Sequence, residues 1–331
     1  MRKYLLYLNI ILILVFLIPS IFVEKENIAI SNIKGENIVN KKEELYNYNS
    51  YGTIKLLHKD TNKVEEVKLD EYIKNVVSAE MPASFHIEAL KAQAIVARTY
   101  TIYKIQNSSK HKNADICDKA ECCQAWINKE DRLKKWDEDK REEYWNKIET
   151  AVDNTKGKII TYNKKPINAF FHSNSGGKTQ VPFYVWGGTG YPYLKVVETA
   201  GEEEYSQYSS EAEFTKDEFK EKVKVEYKDF KINFEEENCI EIKERDESNR
   251  VITVKIGNLN LSGVETRTLL GLRSANFTIE ISEEKILFKV IGYGHGVGMS
   301  QTGADALAKQ GKTYEEIIKH FYAGVEIIEM N

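Results

Sequence analysis

A single glutamate, Glu80, has the position that an acid catalyst would need. It follows Ile73 by seven residues and Val76 by four, so the three side chains share one face of a predicted helix. The rest of that face is apolar, and a carboxylate there loses water, which raises its pKa and lets it hold a proton near neutral pH. The alternative is a structural glutamate at a helix end. Arg98, on the apolar side of the next predicted helix, could pair with Glu80 or hold substrate, and a structural salt bridge is the alternative.

Two glycine-rich segments indicate places where a ligand could meet the backbone. Residues 170–197 contain FFHSNSGGKT and then VPFYVWGGTGYPYLKVV, whose hydroxyl groups and aromatic rings suit a sugar; a glycine-rich turn with packed rings is the alternative. Residues 292–304 read GYGHGVGMSQTGA directly before a predicted helix, where glycines permit close approach and the helix N-terminus favours an anion. This second segment lacks the signatures of phosphate-binding and dinucleotide-binding loops, and His295 between its glycines is a candidate site residue.

A cluster of metal-ligand residues lies between these segments and Glu80. It comprises His111, Cys117, Cys122 and Cys123. One imidazole and three thiolates can close a tetrahedral zinc site, and four protein ligands leave no open position, so such a zinc would be structural. A disulfide between Cys117 and a neighbour, or free thiols, are the alternatives. No HExxH sequence is present, which excludes a zinc peptidase of that type.

The elements that must position these residues mix helices and strands without a regular βαβ rhythm, which favours an α+β fold. The pattern predicts a hairpin over 53–69 and a helix that begins at an Asp70 N-cap and stops at Pro82. It also predicts helices over 87–105, 132–152, 303–310 and 314–322, and strands over 158–162, 167–172, 251–256, 277–281 and 286–291. Thr215 with Glu218 and Thr313 with Glu316 have the spacing of capping boxes.

The N-terminus predicts a membrane anchor. Arg2 and Lys3 precede an apolar run over 4–23, which as a helix at about 1.5 Å per residue spans roughly 30 Å, the thickness of the hydrocarbon core. The positive flank places residues 1–3 in the cytoplasm and the rest outside. A cleaved signal peptide is the alternative, although no small-residue cleavage site follows the run. We therefore expect a single-pass membrane protein with a polar tether over 24–50 and a folded domain over 51–331.

Charge divides the expected domain further. With 47 basic and 51 acidic residues and no basic stripe, the chain does not have the charge pattern of a nucleic-acid-binding protein. Residues 107–153 hold the cysteine loop and a charged helix, which we interpret as an insertion. The segment 201–285 begins strongly acidic and is interpreted as a second lobe. The expected architecture is thus mixed helices and antiparallel strands that form two lobes around a cleft.

Four separated blocks, in a fixed order over about residues 52–324, resemble the stage II sporulation protein D family, whose domain also occurs in amidase enhancers. The blocks are VVSAEMPASFHIEALKAQAIVARTYT, then FFHSNSGGKT with VWGG and YPYLKVV, then LLGLRSANF, and finally GYGHGVGMSQTGADALAKQG. The resemblance implies a lytic transglycosylase that cuts peptidoglycan between N-acetylmuramic acid and N-acetylglucosamine while the forespore is engulfed. It also implies a preference for strands stripped of stem peptides by a partner amidase, stage II sporulation protein P, and recruitment by the membrane protein stage II sporulation protein M.

The resemblance also implies roles for particular residues. The family's catalytic glutamate falls on Glu80. Its substrate-contacting and other motif positions fall on Arg98, Ser175, Tyr193, Lys195, His295 and Gln301. Some clostridial relatives have a zinc-binding loop where 111–123 lies, and Cys122 stands where a histidine would be expected.

The expected mechanism uses Glu80 twice. Protonated Glu80 donates to the glycosidic oxygen, and the ionised form then takes the proton from the C6 hydroxyl of muramic acid, which closes on C1 as a 1,6-anhydro end. A hydrolase would instead need a second carboxylate, about 5 Å away for retention or roughly 6.5–9.5 Å away for inversion. The alternatives are a non-catalytic, glycan-binding enhancer of an amidase and a structural tether in a septal complex.

Overall fold

The computed structural model describes residues 47–107 and 110–331. The predicted membrane helix over 4–23 and most of the predicted tether lie outside the described residues. Within the described ranges, no helix is both long and apolar enough to cross a membrane. The folded body includes Tyr48, which the sequence analysis had assigned to the tether. The N–H of Tyr48 donates to the carbonyl of Asn331 at 2.8 Å, so this end of the chain is held against the C-terminal residue.

The described residues form an α+β fold with several small sheets. The helices are α1 (Leu69–Glu80), α2 (Ile87–Gln106), α3 (Lys129–Lys134), α4 (Arg141–Asp153), α5 (Pro182–Trp186), α6 (Lys216–Glu226), α7 (Gly263–Leu270), α8 (Gln301–Lys309) and α9 (Tyr314–Phe321). The first seven strands are β1 (Thr53–His58), β2 (Lys63–Lys68), β3 (Ile116–Cys117), β4 (Lys158–Tyr162), β5 (Lys165–Pro166), β6 (Phe171–His172) and β7 (Ser209–Thr215). The others are β8 (Ile240–Arg245), β9 (Val251–Ile256), β10 (Leu259–Ser262), β11 (Phe277–Ile281), β12 (Lys285–Ile291), β13 (Met299–Ser300) and β14 (Glu326–Glu329).

Helix α2 is the centre of the first apolar core. Its alanine-rich sequence is buried on almost every side, as expected for a helix without a polar face, and it contacts α1, α4, α8, α9 and β4. The small side chains allow these elements to approach closely. The predicted β1–β2 hairpin is confirmed, with Thr53 opposite Lys68, and β3 adds to it in parallel. The last strand, β14, pairs with β4, so the C-terminus closes the same body.

A second apolar core lies within residues 219–290. Phe219, Val254, Phe277 and Phe288 are its large buried members. The three-stranded sheets β10–β9–β8 and β11–β12–β7 surround it together with α6 and α7. The predicted capping box of Thr215 and Glu218 starts α6 as expected. A separate core over these residues is what a second lobe requires, because each compact unit must bury its own apolar face.

Two predicted elements are corrected by the structure. The charged helix over 132–152 is broken into α3, a 3₁₀ turn at Glu138–Lys140, and α4. The break leaves Trp136 between the two helices, where its carbonyl accepts from Nε of Arg141 at 3.2 Å and its ring packs edge-on against Tyr144. The strand predicted over 167–172 is only the two-residue β6, because its partner β13 is equally short.

Candidate active site

Glu80 is the last residue of α1 and lines a cavity of about 350 Å³. The helix stops there because Pro82 follows and the N–H of Met81 closes the last turn on Val77. Asp70, which the sequence analysis placed at the N-cap, lies instead in the first turn, and Lys68 is the N-cap residue. Glu80 therefore lies where the C-terminal end of α1 meets the cavity.

Burial raises the pKa of Glu80 to about 7, against its ordinary value of 4.5. Hydrogen bonds with the backbone of Ala125 and with Gln301 act in the opposite direction but do not cancel the loss of water. The N–H of Ala125 donates to Oε1 of Glu80 at 2.6 Å. A carboxyl group with this pKa can give up and take back a proton near neutral pH, which is what general acid–base work demands.

Gln301 is the predicted site residue that the structure brings to Glu80. It is the first residue of α8, it is only 6% exposed, and it lines the same cavity. Ser300 caps the helix by accepting from the N–H of Gly303, which fixes the direction in which Gln301 leaves the backbone. Its side chain interacts with Glu80 and lowers the pKa of that carboxyl group, although Nε2 makes no hydrogen bond of full geometry among the described residues.

Arg98 lies away from Glu80 in the structure. Its side chain is fully buried, and its guanidinium donates to the carbonyls of Thr155 at 2.8 Å and Lys158 at 3.2 Å. Asp70, not Glu80, is its nearest carboxylate, at 3.7 Å. The arginine therefore joins α2 to the end of α4 and does not line the Glu80 cavity.

Four further predicted residues lie outside the lining of this cavity. Ser175 is buried and bonds to Glu202 and Thr199, while the hydroxyl of Tyr193 accepts from the N–H of Asn168 at 3.0 Å. Both hydroxyls serve the fold in this structure. The side chain of Lys195 is exposed. His295 accepts from the N–H of Val297 at 3.0 Å.

His295 belongs to a group of rings beside the glycine-rich loops. Its ring centroid lies 5.0 Å from that of Trp186, and the Trp186 ring is tilted against Phe170 with 4.6 Å between their centroids. Trp186 is 51% exposed. The ring centroid of Tyr100 lies 6.4 Å from that of Phe170, and burial raises the pKa of Tyr100. A partly exposed aromatic surface of this kind can hold the face of a sugar ring, and contact of His295 and Lys195 with substrate stays a prediction.

The four predicted metal ligands form one cluster. Their donor atoms all lie within 4.8 Å of one another, with Nε2 of His111 3.3 Å from Sγ of Cys123 and 3.4 Å from Sγ of Cys122. The cysteines are thiols and not disulfides, so the alternative disulfide at Cys117 is not what the structure shows. Burial raises the pKa of the Cys123 thiol. One imidazole and three sulfur atoms at this spacing fit a tetrahedral metal ion, and the cluster could hold one.

Comparison with known proteins supports the resemblance seen in the sequence. A family model described as stage II sporulation protein matches residues 57–162. Stage II sporulation protein D of Bacillus amyloliquefaciens is 37% identical over 270 residues, which are 81% of this chain and 76% of that protein. The Bacillus subtilis (strain 168) protein of the same name is 36% identical over 269 residues, 80% of this chain and 76% of that protein. The chain belongs to the stage II sporulation protein D family.

This family is related to sporulation and to the cell wall. The amidase enhancer of Bacillus subtilis (strain 168) is 26% identical over 303 residues, which are 77% of this chain and 40% of that protein. An uncharacterised protein of Brachyspira hyodysenteriae is 32% identical over 275 residues, 81% of this chain and 68% of that protein.

Sequence reasoning missed a buried carboxylate in this family member. Glu202 is fully buried and accepts hydrogen bonds from both glycine-rich segments. The donors are the N–H groups of Ser175 and Gly177 (both 3.0 Å), the hydroxyls of Ser175 (2.7 Å), Thr199 (2.6 Å) and Thr302 (3.0 Å), and the hydroxyl of Ser300. Gln301 lies between two of these donors, so Glu202 holds the backbone from which Gln301 reaches the cavity. The clustered hydroxyls of HSNSGG and SQT, which need an acceptor, were the available signal.

A second group of cavity-lining residues was also missed. Arg132, Trp136 and Tyr144 line the Glu80 cavity from the segment between α3 and α4. Both rings fall within the single helix that the sequence predicted over 132–152, and the break in that helix was not foreseen. The insertion 107–153 thus supplies part of the cavity and, through Ala125, a hydrogen bond to Glu80.

Proposed function

We propose that this family member is a peptidoglycan lytic transglycosylase that cleaves stripped glycan strands between N-acetylmuramic acid and N-acetylglucosamine. One observation carries the proposal. Among the described residues, Glu80 is the only carboxylate that lines the cavity, and its pKa lies near 7. A hydrolase of the usual kind needs two carboxylates at the scissile bond. A lone acid that exchanges its proton near neutral pH suits a reaction in which the sugar supplies its own nucleophile.

Glu80 carries out both proton transfers of the proposed reaction. Protonated Glu80 donates to the glycosidic oxygen as the C1–O bond breaks, which leaves an oxocarbenium-like muramic acid and the carboxylate. The carboxylate then accepts the proton of the C6 hydroxyl, and that oxygen forms the new bond to C1. The product is a 1,6-anhydro end, and Glu80 is protonated again. Gln301 is placed to orient the carboxyl group and the substrate.

The proposal also covers the membrane location of the enzyme, its partner proteins and its metal cluster. Residues 4–23 would anchor the chain in the cytoplasmic membrane, with 51–331 outside as a two-lobed catalytic domain at the septal or engulfing membrane. Stage II sporulation protein P would supply stripped strands, and stage II sporulation protein M would recruit both. A structural zinc at the cluster of His111, Cys117, Cys122 and Cys123 would hold the loop that ends at Ala125.

The test compares the full chain, purified in mild detergent, with its Glu80→Gln variant on stripped glycan strands. We expect fragments one water lighter than hydrolysis products, seen by mass spectrometry, and none from folded Glu80→Gln. Glu71→Gln is the matched control, because Glu71 lies on the same helix outside the cavity. Fragments with ordinary reducing ends would mean hydrolysis.

A non-catalytic enhancer of an amidase is the second candidate, favoured by the similarity to the amidase enhancer. Glycan binding without cleavage by the wild-type chain, together with stimulation of a cell-wall amidase, would establish it.

A further inference from the structure

Arg132 has no carboxylate partner among residues 47–107 and 110–331. Its guanidinium stacks on Trp136, with Cζ 4.8 Å from the ring centroid, and makes no ion pair within 4.0 Å in the described part of the chain. Its Nε is buried without an acceptor. Asp131, the adjacent acid, pairs with Lys134 at 2.9 Å instead. Loss of water lowers the pKa of Arg132, and no carboxylate offsets that loss.

The side chain is held in this position by its neighbours. Trp136 is fixed by the bond from Arg141 to its carbonyl and by the Tyr144 ring, 5.5 Å away at 79°. An arginine guanidinium stacks well on an aromatic face, and its N–H donors then point outward in the guanidinium plane. Stacking therefore orients these donors without giving them hydrogen-bond acceptors. Binding of a carboxylate or phosphate to a partly desolvated cation with unsatisfied donors is favourable, because charge-assisted hydrogen bonds offset the cost of desolvation.

The cavity that Arg132 lines is the one that contains Glu80. Glu80 does not serve as the missing partner: the pair forms no ion pair, and Arg132 is not among the groups that shift the pKa of Glu80. Gln301, whose side chain interacts with Glu80, lines the same cavity. The cavity therefore offers one acid and one cation that has no carboxylate partner among the described residues, which is complementary to a ligand that brings an anion.

We propose that Arg132 is a substrate-recognition residue that binds the free lactyl carboxylate of a stripped muramic acid at the Glu80 cavity. This inference rests on the proposed function for the identity of the glycan. A muramic acid that carries a stem peptide has this carboxylate locked in an amide bond, so it is neutral there. A cation beside Glu80 would make the enzyme distinguish the two strands by charge, in addition to any steric effect of the peptide.

The test measures binding, so that it does not depend on cleavage. The full chain with Glu80→Gln is titrated with stripped strands in the acid form and with the same strands after carbodiimide and methylamine have converted the lactyl groups to methylamides. Charge-assisted hydrogen bonds contribute about 1.5–3 kcal/mol, so we expect the acid form to bind roughly 10- to 100-fold more tightly. Glu80→Gln/Arg132→Gln should bind both forms with nearly the same Kd.

Controls separate recognition from general charge and from folding. Lys134→Gln removes a positive charge from the same helix outside the cavity and should keep the preference for the acid form. Arg132→Lys keeps the charge and should retain part of the preference. If Arg132→Gln does not fold, the acid and amide comparison in the Glu80→Gln chain, together with Arg132→Lys, decides the question.

Three results would overturn the inference. They are equal binding of both forms by the Glu80→Gln chain, an undiminished preference in Glu80→Gln/Arg132→Gln, and tighter binding of strands with intact stem peptides than of the methylamide. The last result would assign Arg132 to a peptide carboxylate. Failure of the wild-type chain to cleave any strand would remove the proposed activity while leaving the measured preference for the acid form intact.

Discussion

The N–H of Ala125 lies 2.6 Å from Oε1 of Glu80, and Ala125 follows Cys123 by only two residues. Gln124 between them donates to the hydroxyls of Tyr72 on α1 and Thr101 on α2, at 3.2 and 3.1 Å. The end of the cysteine loop is thereby fastened to both helices that frame the candidate acid. A change in the conformation of the cysteine loop would therefore change the orientation of Glu80.

The pKa of Glu80 makes a pH profile the most direct test of its role. The acid form is the reactive one at the start of the cycle, so kcat/KM should fall as the pH rises through about 7. The profile is measured on stripped glycan strands with the full chain. A descending limb several units away from 7 would mean that another group limits the reaction.

The same pKa has a consequence for stability. Because the folded-state pKa of about 7 exceeds the ordinary 4.5, the protonated form stabilises the folded chain. That contribution is complete below pH 4.5 and is lost as the pH rises through 7. Glu80→Gln, which cannot ionise, should therefore be more stable than wild type well above pH 7, by about 3 kcal/mol in urea unfolding, and the difference should vanish at low pH. A difference that does not depend on pH would show that ionisation is not its cause.

Removal of a bound metal should loosen the loop that orients Glu80. We expect about one zinc per chain by elemental analysis, and a chelator should lower both Tm and activity on stripped strands. Cys117→Ser should lose the metal and show the same effects. The matched control is Cys239→Ser, because Cys239 is a buried thiol in the second core, away from the cluster. Metal-free chain with full activity would contradict the role proposed for the cluster.

Local patterns predicted much of what surrounds Glu80. Helix α1, its apolar face and its stop at Pro82 depend on residues within one helix, and so do the capping boxes at Thr215 and Thr313. The β1–β2 hairpin is likewise local. Such features follow from periodicity and capping, because the interacting groups are neighbours along the chain.

The features that sequence patterns did not predict depend on residues far apart in sequence. Glu202 takes its donors from 27 residues before it and 100 residues after it, and no local pattern carries that information. The break between α3 and α4 interrupts a segment whose charges alone suit a continuous helix, because Trp136 gains contacts to Arg141 and Tyr144. The burial of Arg98 depends on carbonyls 54–60 residues further along the chain.

Glu202 should be required for the position of Gln301 and for stability. Glu202→Gln replaces one acceptor oxygen by an amide that faces donors, so we expect a loss of about 3 kcal/mol in the free energy of unfolding. Activity per folded molecule should also fall, since the start of α8 shifts. Glu203→Gln, the exposed neighbour, is the matched control and should change neither property. If Glu202→Gln unfolds like wild type, the buried carboxylate is not the anchor that its hydrogen bonds indicate.

Arg98 should prove structural rather than substrate-binding. Its guanidinium donates to the carbonyls of Val152, in the last turn of α4, and of Thr155, just after that helix. Arg98→Lys replaces a planar fork by a single ammonium that cannot reach all of these acceptors, so unfolding should become easier by about 3 kcal/mol. The KM for stripped strands, measured on the folded fraction well below the Tm, should stay within about twofold of wild type, because removing an interaction that substrate does not make leaves KM unchanged. A raised KM with unchanged stability would instead indicate that Arg98 contacts substrate in the cleft.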